Sequence, residues 1–132
     1  MSVLPPLRIL IVDDEPALLS LLEDFLTGHG HTVETVEDGR EVLARVAAVP
    51  FDVIISDMRM PAMHGRVLHR ALEAAYPHLA RRMVFMTGDT LGEDTEQFLR
   101  EVGAPSVAKP FTFEGLIQAL RAALDNSRVR TT

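Results

Sequence analysis

The sequence contains no cysteine among its 132 residues. That removes disulfides, iron–sulfur clusters, thiolate zinc sites and cysteine nucleophiles together. Positive charge is also scarce. Lys and Arg total 13 against 19 Asp and Glu, a formal net charge of −6. Such a balance argues against direct nucleic-acid binding and against contact with an anionic membrane surface. No apolar run approaches the roughly 18 residues needed to span a bilayer. Residues 1–6 lack the basic stretch and apolar core of a secretory leader. What is present is a chain of one domain's length with 47% hydrophobic residues. It is long enough to bury a core without staples and too apolar to be disordered. The expectation is a single cytoplasmic globular domain.

Residues 7–12 read LRILIV, an apolar run closed by Asp13-Asp14, which suggests a strand buried on both faces. Leu18, Leu21, Leu22 and Phe25 then recur at helical spacing. Pro16 suits the first turn of that helix, and Gly28 and Gly30 stop it. Residues 31–36 alternate weakly. Val42, Leu43 and Val46 form a short helical face that Pro50 ends. Residues 51–56 (FDVIIS) are a second buried run, closed by Asp57. Residues 65–76 read as helix through Leu68, Ala71, Leu72 and Ala75, with Pro77 behind. Residues 83–86 (MVFM) are a third buried run, closed by Thr87-Gly88. Thr95, Phe98, Leu99 and Val102 mark a fourth helix, stopped by Gly103. Residues 106–108 form a short strand before Lys109-Pro110. Phe113, Leu116, Ile117, Leu120 and Leu124 mark a last helix, and the tail from Asn126 is polar and expected to fray.

This is a βα unit repeated five times. Alternating β and α imply a parallel sheet with right-handed crossovers and helices on both faces. The first, third and fourth strands are continuously apolar and belong in the centre. The second alternates and the fifth is short, so both belong at the edges. The expectation is an α/β, flavodoxin-like, doubly wound (βα)5 fold with strand order 2-1-3-4-5.

The polar residues stand where strands end. Asp13 and Asp14 follow the first strand, Asp57 the third, Thr87 the fourth and Lys109 the fifth. In an open parallel sheet these ends share one edge, where ligands bind. Acids at strand ends also cap the following helix, and that alternative stays open for Asp13 or Asp14 taken singly. All five converging is harder to explain by capping. Three carboxylates offset by one lysine leave repulsion that a hard divalent cation relieves, and oxygen ligands suit Mg²⁺. The five histidines, His29, His31, His64, His69 and His78, show no zinc spacing and read as surface residues. A carboxylate beside Mg²⁺, a lysine and a hydroxyl is suited to accept a phosphoryl group. Asp57, projected alone from a central strand, is the candidate nucleophile. The pair Asp13-Asp14 looks like metal binding.

Four motifs carry a resemblance: VDDEP (12–16), DMRMP (57–61) followed by Gly65, MTG (86–88) and KPF (109–111). Together, in this order, they resemble the receiver domain of bacterial two-component response regulators. The resemblance covers 8–124 and divides the chain into a linker (1–6), a receiver domain (7–125) and a polar tail (126–132). It implies phosphorylation of Asp57 by a histidine kinase or histidine phosphotransfer protein. It implies Mg²⁺ organised by Asp13, Asp14, Asp57 and the backbone carbonyl of Arg59. It implies that Thr87 and Lys109 contact the phosphoryl group and that the Lys109-Pro110 bond is cis. A phosphoacceptor domain of this kind is not expected to be an enzyme beyond slow loss of its own phosphoryl group. The fourth helix, fifth strand and last helix offer a face for a homodimer.

One departure concerns signalling. Receivers usually carry an aromatic three residues before the lysine, and here that residue is Ser106. Tyr76, the only tyrosine, lies elsewhere. A threonine-coupled aromatic swing is therefore unavailable in its usual form, and the alternative is displacement of the Thr87 loop and of the helix carrying Phe98. Arg59 and Asp89, two residues after Asp57 and after Thr87, flank the path of an attacking water. They either pair across the mouth of the site or stay solvated. As to parentage, the runs MTGDTL, FLREVGAP and KPF resemble receivers of hybrid sensor kinases more than those of transcription factors, and the expectation leans to a hybrid origin over a stand-alone receiver. Two other classes share these features: a small Mg²⁺-dependent phosphohydrolase with an aspartyl nucleophile, and a non-phosphorylated interaction module. Adjacent rather than alternate aspartates after the first strand count against the first, and intact Asp57, Thr87 and Lys109 against the second.

Overall fold

Successive side chains of a strand point to opposite faces, and here both faces are apolar. Ile9 and Ile11 of the first strand face one layer of helices, and Leu10 and Val12 face the other. The structure, a computed structural model, describes residues 4–60, 63–88 and 92–129. Its elements run β1 (Arg8–Val12), α1 (Pro16–Gly28), β2 (Thr32–Val36), α2 (Gly39–Ala48), β3 (Val53–Asp57), α3 (Gly65–Ala75), α4 (Pro77–Ala80), β4 (Met83–Thr87), α5 (Glu93–Val102), β5 (Ser106–Ala108) and α6 (Phe113–Val129). All strands pair in parallel, in the order β2-β1-β3-β4-β5. The expected sheet order is the observed one, and the reason is burial: β3 and β4 are buried at every residue, whereas β2 is partly exposed throughout.

Helices α1 and α6 cover one face, through Leu19, Leu22 and Leu26 and through Leu116, Leu120 and Ala123. Helices α2, α3 and α5 cover the other, through Val42 and Val46, Leu68 and Leu72, and Phe98 and Leu99. Helix ends follow the glycines. Gly30, with φ +93°, turns the chain out of α1, and Gly103, with φ +69°, closes α5.

Three sequence expectations need correction. A βα unit repeated five times leaves no helical element between α3 and β4, and the chain has one there. Tyr76, before a proline and so pushed out of the helical region, has φ −139° and ψ 67°, and Pro77 then starts a further single turn, α4. The tail from Asn126 does not leave the helix there. Helix α6 continues to Val129, and Asn126 Nδ2 donates to the Gly103 carbonyl at 2.7 Å. Nor are all five histidines on the surface. His31 and His69 are 6% and 5% exposed. His31 Nδ1 accepts from the Leu7 N–H at 3.1 Å, and His69 packs edge-on against Phe98. No described helix is long and apolar enough to cross a membrane.

Candidate functional site

Parallel strands in this register place the ends of β1, β3, β4 and β5 along one edge of the sheet. Asp13 follows β1 directly, and its N–H continues the pairing with β2 by donating to the Val36 carbonyl at 3.2 Å. Asp57 is the last residue of β3, and Met58 N–H donates to the Met86 carbonyl at 2.9 Å, holding the end of β3 against β4. Lys109 follows β5, and its N–H donates to the Thr87 carbonyl at 2.7 Å. The Lys109–Pro110 bond is cis.

The side chains meet in the crevice above. One carboxylate oxygen each from Asp13, Asp14 and Asp57 lie within 4.8 Å of one another. Asp13 is fully buried, Asp57 nearly so, and Asp14 is exposed. The Lys109 ammonium lies 3.0 Å from Asp13 Oδ2, 3.4 Å from Glu15 Oε1 and 3.5 Å from Asp57 Oδ1. Burial raises the Asp57 carboxyl above the ordinary carboxylate range. The charge of Asp13 adds to this, and that of Asp14 less so, against the opposing pull of Lys109 and the Arg59 N–H. Burial alone would lower the Lys109 ammonium. The hydrogen bond to Asp13 and the charges of Asp57, Asp13 and Glu15 outweigh it and hold the group above its usual value. Lys109 is thus a fixed cation.

This donor set fits Mg²⁺. All its ligand atoms are oxygens, one ammonium does not balance three carboxylates, and the charges of Asp13 and Asp14 add to the burial that raises Asp57.

Some expected residues are not brought together. The Thr87 hydroxyl is buried and donates to the Val107 carbonyl, over a long 3.4 Å, so it faces β5 rather than Asp57. Ser106 is exposed at the start of β5, an edge-strand residue beside Phe85. Arg59 is exposed. Asp89 lies outside the described residues, as does Pro61. One residue was missed altogether. Glu15 reaches Lys109 and also donates its N–H to Asp13 Oδ1 at 2.8 Å. Its signal was in the sequence: a glutamate, poorly suited to capping, stands between the aspartate pair and the helix-starting Pro16.

A family model described as the response regulator receiver domain matches residues 9–121. The chain belongs to that family. Among curated relatives, this receiver is 33% identical to the transcriptional regulatory protein TrcR of Mycobacterium tuberculosis over 92% of its length, covering 47% of TrcR. It is 32% identical to the transcriptional regulatory protein GlrR of Escherichia coli over 96% of its length, covering 28% of GlrR. The chain therefore spans half or less of these relatives. Among solved structures, the chemotaxis response regulator CheY4 of Vibrio cholerae superposes with a TM-score of 0.77 at 30% identity, over 91% of this chain and all of that one. The protein is a receiver domain of two-component signalling, and its Asp13–Asp14–Asp57 cluster fits the phosphoacceptor site of such a domain.

Proposed function

We propose that Asp57 takes a phosphoryl group from a phosphohistidine of a histidine kinase or histidine phosphotransfer protein. The observation that carries this reading is the contact of one buried-side ammonium, Lys109, with both Asp13 and Asp57. In the transfer, an ionised Asp57 oxygen bonds to phosphorus while the phosphorus–nitrogen bond breaks and its electron pair returns to the imidazole. Asp13, Asp14, Asp57 and the Arg59 carbonyl would hold Mg²⁺, which when bound neutralises charge on the phosphoryl oxygens. Lys109 does the same from the β5 side, already charged and already in place. Asp13 positions Lys109 and lowers the chance that the ammonium swings away.

Thr87 supplies the readout. Its hydroxyl can leave the long bond to Val107 and donate to a phosphoryl oxygen, which gives up that side-chain link between β4 and β5 while their backbone pairing stays. Ser106 carries no ring to follow it. Displacement therefore falls on the Thr87 loop and on α5, and the α5–β5–α6 face is where a homodimer or an output partner would sense it. Amide shifts over 92–107 that stay fixed on binding a phosphoryl mimic would contradict this route. The parent chain is proposed to act in phosphorelay, with a hybrid kinase as one origin.

Incubation with Mg²⁺ and acetyl phosphate, read by intact mass, tests the core reading. An adduct of roughly 80 Da is expected on the parent and not on Asp57→Asn. No adduct on the parent, with Mg²⁺ shown to bind, would remove the reading.

A further inference from the structure

Glu15 occupies the N-cap of α1 with extended backbone (φ −104°, ψ 105°), and its side chain makes no capping hydrogen bond. Ser, Thr, Asp or Asn serve better there, because a short side-chain oxygen reaches the free N–H groups of the first turn. Glu15 turns its carboxylate across the crevice instead, to 3.4 Å from Lys109 Nζ. Its backbone N–H holds Asp13 Oδ1 at 2.8 Å, and Asp13 Oδ2 holds Lys109 at 3.0 Å. The three residues close a ring: Glu15 main chain to Asp13, Asp13 to Lys109, Lys109 to the Glu15 side chain. A local rule broken at a helix end, with nothing gained by the helix, marks a residue serving the site.

We propose that Glu15 is a positioning residue that holds the Lys109 ammonium at the mouth of the crevice in the unphosphorylated state and has to release it for the phosphoryl group. This rests on Asp57 as the phosphoacceptor. An ammonium has three donors, and Lys109 faces three carboxylates. A phosphoryl group on Asp57 needs one of those donors. Asp13, with no exposed side-chain surface, cannot turn away, whereas the Glu15 side chain is 64% exposed and water can replace it. Glu15 is therefore the partner that yields. Until it does, it competes with the phosphoryl oxygens for Lys109 and biases the domain toward the unphosphorylated state.

The test is titration with beryllofluoride in the presence of Mg²⁺, read by amide shifts, on the parent, Glu15→Gln and Glu15→Asp. Gln keeps the size and removes the charge. Asp keeps the charge, but it is one methylene shorter and reaches back to cap α1. Both variants are expected to bind the mimic about two- to fivefold more tightly than the parent, the size expected of one partly exposed ion pair. Glu15→Asp is also expected to melt at a higher temperature, which reports the new cap and the intact fold. A Glu15→Gln affinity equal to or weaker than the parent's overturns the proposal. So does a Glu15→Asp affinity equal to the parent's while Glu15→Gln gains, because Glu15 would then act through its field and not as a tether. A parent that binds Mg²⁺ but no beryllofluoride removes the phosphoacceptor reading itself, and this inference with it.

Discussion

The charged form of Asp57 is disfavoured by its surroundings. It is nearly buried, faces Asp13 and Asp14, and receives only partial relief from Lys109 at 3.5 Å. Its folded-state carboxyl lies above the ordinary value, so the stability it contributes is complete below the unfolded pKa of 3.8 and is lost as pH rises through the folded value. At neutral pH, without metal, its charge therefore opposes folding. Asp57→Asn, near-isosteric and neutral, is expected to raise the melting temperature of the metal-free protein at pH 7. Scanning calorimetry in a chelator checks this, and a lower melting temperature for the variant would mean that Lys109 already compensates the charge. At this scale the sequence revealed the residue types and their place at strand ends, because a strand's end is marked by where its apolar run stops. It did not reveal directions. The Thr87 hydroxyl faces Val107, and Glu15 faces Lys109 instead of its own helix. Both depend on rotamers set by neighbours distant in the chain.

Elements were legible where one period dominated. The apolar runs of β1, β3 and β4, short and each closed by a polar residue, pointed to two-sided strands, and the apolar positions of α1, α5 and α6 repeat at helical spacing. The short turn α4 was hidden because a proline both ends one helix and starts the next. The burial of His31 and His69 was hidden because an imidazole in a helical or alternating pattern looks like any polar residue. Met58, the neighbour of Asp57, is held against Gly65 at the start of α3. The Gly65 N–H donates to the Met58 carbonyl at 2.8 Å, and a β-carbon at Gly65 would lie 3.1 Å from both Met58 Cα and Phe85 Cε1. Backbone and a buried ring cannot yield as a flexible side-chain tip can. Gly65→Ala is expected to destabilise by about 1–3 kcal/mol through overpacking and to weaken beryllofluoride binding, because Met58 adjoins Asp57. Denaturant unfolding measures the first effect. An unchanged midpoint would show that the loop absorbs the methyl.

Helix α3 also carries a pH response. His69 sits between Phe85 and Phe98, and burial lowers its pKa below the ordinary 6.5, with a smaller opposing effect from Glu73. A histidine with a depressed folded value contributes stability that is complete above about pH 6.5 and falls as pH drops toward the folded value. His69→Phe removes that contribution while keeping an aromatic ring in the cluster. The stability lost between pH 7.5 and 5.5 is expected to be smaller in the variant than in the parent. Because His31 and Asp57 are present in both, the difference isolates His69. Equal losses would place the acid sensitivity elsewhere.

At the scale of the whole molecule, the crevice works against the fold that builds it. A net charge of −6 tells nothing by itself of where the charge lies. The fold concentrates three carboxylates at the C-terminal edge of the sheet and returns one lysine to them. Anything cationic that binds there should therefore stabilise the entire domain, since the unfolded chain scatters the same carboxylates. If Mg²⁺ binds the folded state alone, a hundredfold excess over its dissociation constant adds about 2.7 kcal/mol. The parent is expected to gain melting temperature with added Mg²⁺ in this graded way, and Asp57→Asn to gain much less, having lost one ligand. The two variants of the experiment thus cross: without metal the asparagine protein is the more stable, and with saturating Mg²⁺ the parent is. The crossing separates a site arranged for a cation from an acidic patch that merely tolerates one. Equal Mg²⁺ responses in the two proteins would mean that the stabilisation is general screening of the −6 charge, which Na⁺ at matched ionic strength would reproduce.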